Sequence, residues 1–342
     1  MNPRTIKTSL LAAVWMLAIG CAAAKPAPAV IRVGYFPNLT HAQALVGRAT
    51  GAFQKALGPD VRIEWKAFNA GPAAIEALFA DAIDMTYIGP NPAVAGYVRS
   101  DGRAVRVIAG ATSGGASLVV RQGSGIRSSA DLHGRKVASP QLANSQDVAL
   151  RSWLEANGLQ TRDRGGDVLV LPVSNAFQIT LFKKGELDAA WSPEPWASRL
   201  VHEAGGKVLL DERSLWPGGV FSTTDLVAAP EFLSRHPNLV KRFLEAHIGL
   251  TDWICANPGA AKRILNEQLK RETGRALTPE ELDDAFSRMR VTYDPLRSSV
   301  LKSAEEAFRE GFLGKTRLDL SGLYDLRLLD EVLMEKKERP VS

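Results

Sequence analysis

The sequence predicts an α/β protein built as two lobes with a crevice between them, and three observations carry that prediction. A pattern occurs twice: residues 73–92 read AAIEALFADAIDMTYIGPNP and residues 177–195 read FQITLFKKGELDAAWSPEP. Aligned on Asp84 and Asp188, Ile75 meets Ile179, Leu78 meets Phe182 and Ile83 meets Leu187. Each copy is an apolar-periodic helix, a tight turn, a short strand and a Pro-x-Pro that opens another helix. Short apolar strands alternate with helical patterns for most of the chain, the signature of α/β layering with a mainly parallel sheet. The length of 342 residues favours two domains over one.

Taken in order, residues 30–36 (VIRVGYF) form a β-branched run closed by Pro37-Asn38, a first strand. Residues 41–57 carry helical spacing, and 61–68 alternate as a strand. Asn69-Ala70-Gly71-Pro72 opens the repeat's first helix; 84–88 is a short strand, and a helix follows to Arg99. Residues 105–111 are another strand, and 117–121 (SLVVR) lead into the second lobe. There 136–138, 168–171, 189–191 and 208–210 are short strands with helices between them. Residues 221–228 (FSTTDLVA) read as the strand that returns to the first lobe. Beyond Pro230 the pattern is helical, with Thr278-Pro279-Glu280-Glu281 a capping-box start and residues 333–342 a charged, frayed tail. The expected segments are a leader over 1–24, a first lobe over 30–118, a second over 119–224, and a return to the first over 225–342. Two crossings between lobes imply a hinge.

The N-terminus reads as an export signal. Arg4 and Lys7 supply a charged start, and residues 9–19 (SLLAAVWMLAI) an apolar stretch too short to span a bilayer. The run Leu17-Ala18-Ile19-Gly20-Cys21 resembles a bacterial lipobox, with Ala18 where Leu is usual; Ala22-Ala23-Ala24 suits an ordinary signal peptidase equally. The export context places the protein in the periplasm, anchored there if Cys21 is lipidated. The only other cysteine, Cys255, lies in a helical pattern and reads as a small core residue, so no disulfide framework or cysteine metal site can be built. A formal charge of +5 without a basic block gives no nucleic-acid footprint.

In open α/β sheets ligands bind where strands end and helices begin. The candidate residues therefore lie in the strand-end turns: Asn38, Thr40, His41, Gly71, Gly89, Asn91, Ser113, Gly114, Asn144, Ser145 and Gln146. Small residues, hydroxyls and amides at helix starts suit an anionic group, which free backbone N–H groups and the helix dipole attract; the same residue types also serve as plain N-caps and turn formers. Tyr87, Trp191 and Trp196 stand beside the repeat's strand ends as pocket walls or core. Glu194, between two prolines, caps its own helix or meets a ligand ammonium. Asp225, in an apolar strand, must be paired or sit at the crevice, because burying a lone carboxylate is costly. No phosphate-loop, zincin or nucleophile-elbow motif is present, and the five histidines show no ligand spacing; no metal or cofactor is expected.

The segments IRVGYFPNLTHAQAL, NAGPAAIEALFADAIDMTYIGPNPAVAGY, SSADLHGRKVASP and LDAAWSPEPWASRLV, across residues 30–255, resemble the periplasmic substrate-binding proteins of ABC importers, nearest the nitrate, sulfonate and taurine binders. The resemblance implies a type II fold of two α/β lobes joined by two hinge strands and closing over ligand. It implies a monomer whose partners are a small anion or zwitterion and an inner-membrane ABC permease. It places the turn residues around the anion and Asp225 beside the ligand's amino group, an arrangement that argues against a bare anion such as nitrate. Other readings are an enzyme on the same fold, of the kind that makes the thiamine pyrimidine, and a sensor subunit. The enzyme would need a Cys, His or Lys cluster in the cleft, and the sequence supplies none.

Overall fold

The computed structural model describes residues 29–315 and 319–341. Residues 1–24, with Cys21 and the expected leader, lie outside them. Eleven strands divide between two sheets. The first has the order β11-β4-β10-β3-β1-β2, from β1 (Ala29–Tyr35), β2 (Val61–Ala67), β3 (Met85–Ile88), β4 (Arg106–Gly114), β10 (Ser222–Ala228) and β11 (Met289–Val291). The second has the order β7-β6-β8-β5-β9, from β5 (Ala116–Arg121), β6 (Lys136–Ser139), β7 (Leu169–Pro172), β8 (Ala189–Pro193) and β9 (Gly206–Asp211).

The sheets are mixed rather than mainly parallel. β1, β2 and β3 run parallel, as do β6, β7 and β8. β4, β10 and β11 pair antiparallel in the first sheet, and β5 pairs antiparallel in the second. The difference follows from the connections. Parallel neighbours come from strand–helix–strand crossovers, whereas a chain that leaves a sheet and later returns is free to run the other way.

The sequence repeat is a repeat of structure. In each lobe a helix, Gly71–Phe79 or Asn175–Lys183, leads to the short central strand, β3 or β8, and then to Pro90–Arg99 or Trp196–Ala204. The aligned apolar pairs are buried in both copies. The aligned aspartates do the same work. Asp84 accepts the backbone N–H of Arg32 at 2.7 Å and pairs with its guanidinium, while Asp188 accepts the N–H of Lys136 at 3.0 Å and pairs with Arg121 at 3.4 Å. Each carboxylate thus ties the start of its strand to the neighbouring one.

The chain crosses between sheets at Gly114-Gly115 and returns over residues 212–221. The sequence had set the first crossing at 118/119, but β5 belongs to the second sheet from Ala116 onward. Gly114 and Gly115 hold φ of 73° and 81°, and a Cβ on Gly114 would stand 2.6 Å from the Arg288 carbonyl oxygen, so the crossing needs glycine twice over. The two crossings touch: Gly114 N–H donates to Phe221 O at 3.1 Å and Thr223 Oγ1 to Gly114 O at 2.6 Å.

Apolar layers cover both faces of each sheet. Side chains from helices Pro237–Ala256, Pro258–Thr273, Pro279–Arg288, Arg297–Arg309 and Arg327–Glu335 join the core of the first sheet. Three details differ from expectation. The helical run over 41–57 is two helices broken at Gly51. Cys255 is exposed on its helix rather than in the core. The C-terminal tail is tied down, with Val341 N–H on Asp330 Oδ1 at 2.8 Å and Tyr293 Oη on Glu338 at 2.5 Å. The capping box at Thr278 forms as read. No helix among the described residues is long and apolar enough to cross a membrane.

Candidate functional site

Where the strand ends of the two lobes face each other, they line a small, partly open cavity. The first lobe contributes Phe36, Asn38, Thr40, His41, Asn69, Ala70, Gly71, Gly89, Pro92, Thr223 and Thr224; the second contributes Pro140, Asn144, Ser145, Gln146, Asn175 and Pro193. The lobes meet directly at its rim. Trp196 Nε1 donates to Asn38 Oδ1 at 2.7 Å, Leu39 N–H to Glu194 O at 3.1 Å, and Asn91 N–H to Ser145 Oγ at 3.3 Å. A Cβ on Gly89 would lie 2.5 Å from Ser145 Oγ, so only glycine lets the hydroxyl seat there.

No charged side chain lines the cavity. Its polarity comes from how its neutral groups are committed. The Trp196 indole N–H and the Asp147 backbone N–H can only donate, so each fixes an amide: Asn38 Oδ1 accepts the first and Asn144 Oδ1 the second, at 2.8 Å. Asn144 Nδ2 then donates to Gln146 Oε1 at 3.3 Å. Phe36 N–H donates to His41 Nδ1 at 3.3 Å, which leaves the ring proton on Nε2. Ser145 Oγ already accepts from Asn91. Asn38, His41, Gln146 and Ser145 therefore each have an acceptor engaged within the protein and N–H or O–H groups left over. Burial lowers the His41 pKa to about 3, so the imidazole is neutral at physiological pH.

Helix starts add backbone donors. Helices Gly71–Phe79, Ser145–Ala156 and Asn175–Lys183 begin at the cavity wall, and Ala70 and Ser174 provide no side-chain cap; Pro90–Arg99 begins there too, but Pro90 and Pro92 carry no N–H and the Asn91 N–H is already on Ser145 Oγ. Dipole and N–H groups together favour negative charge at these ends. Two polar atoms of cavity-lining residues, Asn175 Oδ1 and Thr224 Oγ1, are buried without a protein partner. Phe36, its ring tilted against His41 with centroids 4.4 Å apart, and Pro92, Pro140 and Pro193 give apolar wall. No group of three or more His, Cys, Asp or Glu among the described residues is placed to hold a metal.

Asn38, Thr40, His41, Gly71, Gly89, Asn144, Ser145 and Gln146, singled out from the sequence, all line this cavity. The other candidates sit elsewhere. Asn91 faces Ser303, donating to its carbonyl at 3.1 Å and accepting its hydroxyl at 2.8 Å. Ser113 and Gly114 belong to the crossing, where Ser113 Oγ accepts Phe221 N–H at 3.4 Å. Trp191 is fully buried in the second lobe, its indole N–H on Glu212 at 2.8 Å. Glu194 caps its helix by accepting Ser198 N–H at 3.1 Å and pairs with Arg288 at 3.1 Å; burial raises its pKa and Arg288 pulls it back. Asp225 is fully buried beside Tyr324 and Asp294 rather than in the cavity, and burial raises its pKa well above the usual carboxylate range. Neither acid lines the cavity, so neither stands there to repel a bare anion such as nitrate.

Asn175, Thr223, Thr224 and Phe36 join the cavity without standing among the residues singled out from the sequence. The Ser174-Asn175 turn follows β7 as the other turns follow their strands, so the signal was there. Thr223 and Thr224 both reach the cavity because the β4–β10 register shifts on either side of Thr224, a bulge that strand alternation does not announce.

Two α/β lobes, crossed twice by the chain and closed on a small polar cavity, define the two-lobed fold of periplasmic binding proteins. The alkanesulfonate-binding protein SsuA from Xanthomonas axonopodis pv. citri, solved with MOPS, superposes at a TM-score of 0.72 with 20% identity, over 89% of this chain and 100% of its own. The nitrate-binding protein NrtA of Synechocystis PCC 6803 does so at 0.69 with 16% identity, over 90% and 89%. The desulfurization enzyme DSZB shares the fold at 0.65 with 16% identity, over 90% and 99%. The chain belongs to the NMT1-like family, whose profile matches residues 24–266. Among its relatives, a Bacillus subtilis (strain 168) protein named for binding aliphatic sulfonates is 24% identical over 89% of this chain and 88% of its own length. The taurine-binding periplasmic protein of Escherichia coli (strain K12) is 25% identical over 63% and 64%.

Proposed function

We propose that this protein is the extracytoplasmic solute-binding component of an ABC importer, and that it captures a small anion of the alkanesulfonate type between its lobes and delivers it to a membrane permease. The observation that carries the reading is the donor-lined, uncharged cavity. Anion capture there rests on N–H and O–H groups of residues that each have an acceptor engaged within the protein, and on helix N-termini from both lobes. The names of the relatives support the ligand class. The leader-like N-terminus supports export to the periplasm, with anchoring through Cys21 as a further possibility of the same segment. A binding rather than catalytic role fits a cavity wall without Cys, Lys, Asp or Glu. Because no acid lines the wall, a plain alkanesulfonate suits it better than a zwitterion whose ammonium would need a carboxylate.

The test is thermal unfolding of residues 25–342, which contain every described element, with ethanesulfonate, taurine, sulfate, nitrate and phosphate. A ligand that binds only the native state adds about 4 kcal/mol at a thousandfold excess over Kd. Ethanesulfonate should give the largest shift. No shift with any of the five would refute the reading.

A further inference from the structure

We infer that helix Trp196–Ala204 of the second lobe and helix Pro279–Arg288 of the first form a charge zipper, outside the cavity, that sets the balance between open and closed lobes. The residues lie in register. Glu194, Ser198 and His202, spaced by four, face Asp284 and Arg288, also spaced by four. Arg288 Nη1 reaches both Glu194 Oε1 and Ser198 Oγ at 3.1 Å, while its Nη2 stands 3.4 Å from Asp284. Asp284 in turn meets His202 Nε2 at 2.8 Å across the lobes. Beside this chain Glu203 pairs with Arg275, and Arg275 with Glu281 at 3.2 Å.

The zipper's location makes it conformational rather than merely structural. Its two helices are carried by different sheets, and among the described residues the chain joins those sheets at Gly114-Gly115 and over residues 212–221. Gly115 touches both sides of the zipper's inner end, accepting Glu194 N–H at 2.8 Å and donating to Arg288 O at 2.8 Å. Rotation about the crossings must change the spacing of the two helices. The inner pair Glu194–Arg288 is held at the crossing through Gly115, so rotation there separates chiefly the outer members, and the contacts of His202, Asp284, Glu203 and Arg275 count toward the closed arrangement. None of these side chains lines the cavity, and the outer members His202, Asp284 and Arg275 are partly exposed. They can therefore shift the lobe equilibrium without touching ligand. Only the ligand arm of the test rests on the function proposed above.

The experiment is an inter-lobe distance measurement without ligand. Spin labels go on Asp101→Cys in the first lobe and Glu186→Cys in the second, both exposed. Cys255→Ser removes the exposed thiol that would otherwise be labelled. Asp284→Ala and Arg275→Ala should each lower the ratio of closed to open molecules by roughly threefold, the size of one partly exposed ion pair. Arg275→Lys should restore most of it. Raising salt from about 0.02 to 0.5 M should move the parent protein in the same direction, since screening weakens such pairs. Distance distributions of correctly folded variants that coincide with the parent, or a parent indifferent to salt, would overturn the zipper whether or not a ligand is ever found. With ethanesulfonate as probe, the same variants should weaken apparent affinity by the same factor.

Discussion

Single residues decide the chemistry of the cavity, and two of them give measurable consequences. Gly89 has no side chain because Ser145 Oγ occupies the place of its Cβ across the lobes. Gly89→Ala should leave the thermal midpoint of the unliganded protein nearly unchanged, since the contact forms only on closure, and weaken ethanesulfonate binding by at least about tenfold, a cost of about 1.4 kcal/mol. Calorimetric titration decides it, and undiminished affinity would show that closure does not need that seat. His41 and His247 are buried and neutral, with pKa values lowered to about 3 and about 4 by burial. The unfolded chain protonates both near 6.5. Between those values the unfolded state binds more protons, so each histidine makes stability fall as pH drops from about 6.5, by up to about 1.4 kcal/mol per pH unit. Glu212 acts in the opposite sense. Burial raises it to about 7, so it costs stability as pH rises from the ordinary carboxylate range toward that value. The comparison of parent with His41→Gln isolates the histidine: the urea midpoint of the variant should fall less between pH 6.5 and 4.5. Because His41 stays neutral, its donor role in ligand binding should not change between pH 5 and 8.

At the scale of elements, the strand-end aspartates and the helix caps are where sequence logic reaches furthest. Asp84 and Asp188 stand out as the anchors of an internal repeat, and each accepts a backbone N–H of the neighbouring strand, Arg32 in β1 and Lys136 at the start of β6. Asp84→Ala removes a buried acceptor, strands the Arg32 amide and breaks an ion pair, so we expect a loss of about 2–3 kcal/mol in urea unfolding. Thr278→Ala loses one side of a capping box and should cost about 1 kcal/mol. A cost near zero for Asp84→Ala would mean that the repeat records ancestry and no longer a shared anchor. Trp191 shows the limit of the same logic. The repeat places it at a strand end, but alternation along β8 turns Trp191 toward Trp153 and the core of one face, while Ala190 packs on the other. Which face of a central strand holds a cavity is set by how the second lobe sits, and no local pattern states that.

For the whole molecule, the arrangement is a balance of contacts at three places: the crossings, the cavity rim and the charge zipper. A ligand that bridges donors from both lobes adds to the closed side of that balance. Small-angle scattering should therefore show a smaller radius of gyration with saturating ethanesulfonate than without, and an unchanged radius on binding would exclude closure as the response. The B. subtilis relative matches 89% of this chain, and DSZB shows that this fold also carries an enzyme, so function must be read from the cavity wall and not from the fold.

The sequence by itself determined the alternation of strands and helices, the doubled unit and the class of residue at each strand end, because these depend on periodicity, turn chemistry and capping, which act over a few residues. It also put hydroxyls and amides at the strand ends, residue types that turns and helix starts favour. Only the tertiary structure decided which of those turns converge. It placed Asn38, His41, Asn144 and Ser145 at one cavity and left Asn91 on Ser303, Glu194 on Arg288 and Asp225 beside Tyr324. It also decided which atom of each amide is free, because Asn38 is oriented by Trp196 from the other lobe. The physical reason is separation along the chain. A residue's type follows from its neighbours in sequence, but a partner such as Trp196 for Asn38 stands 158 residues away, and the approach of two lobes fixes that pairing.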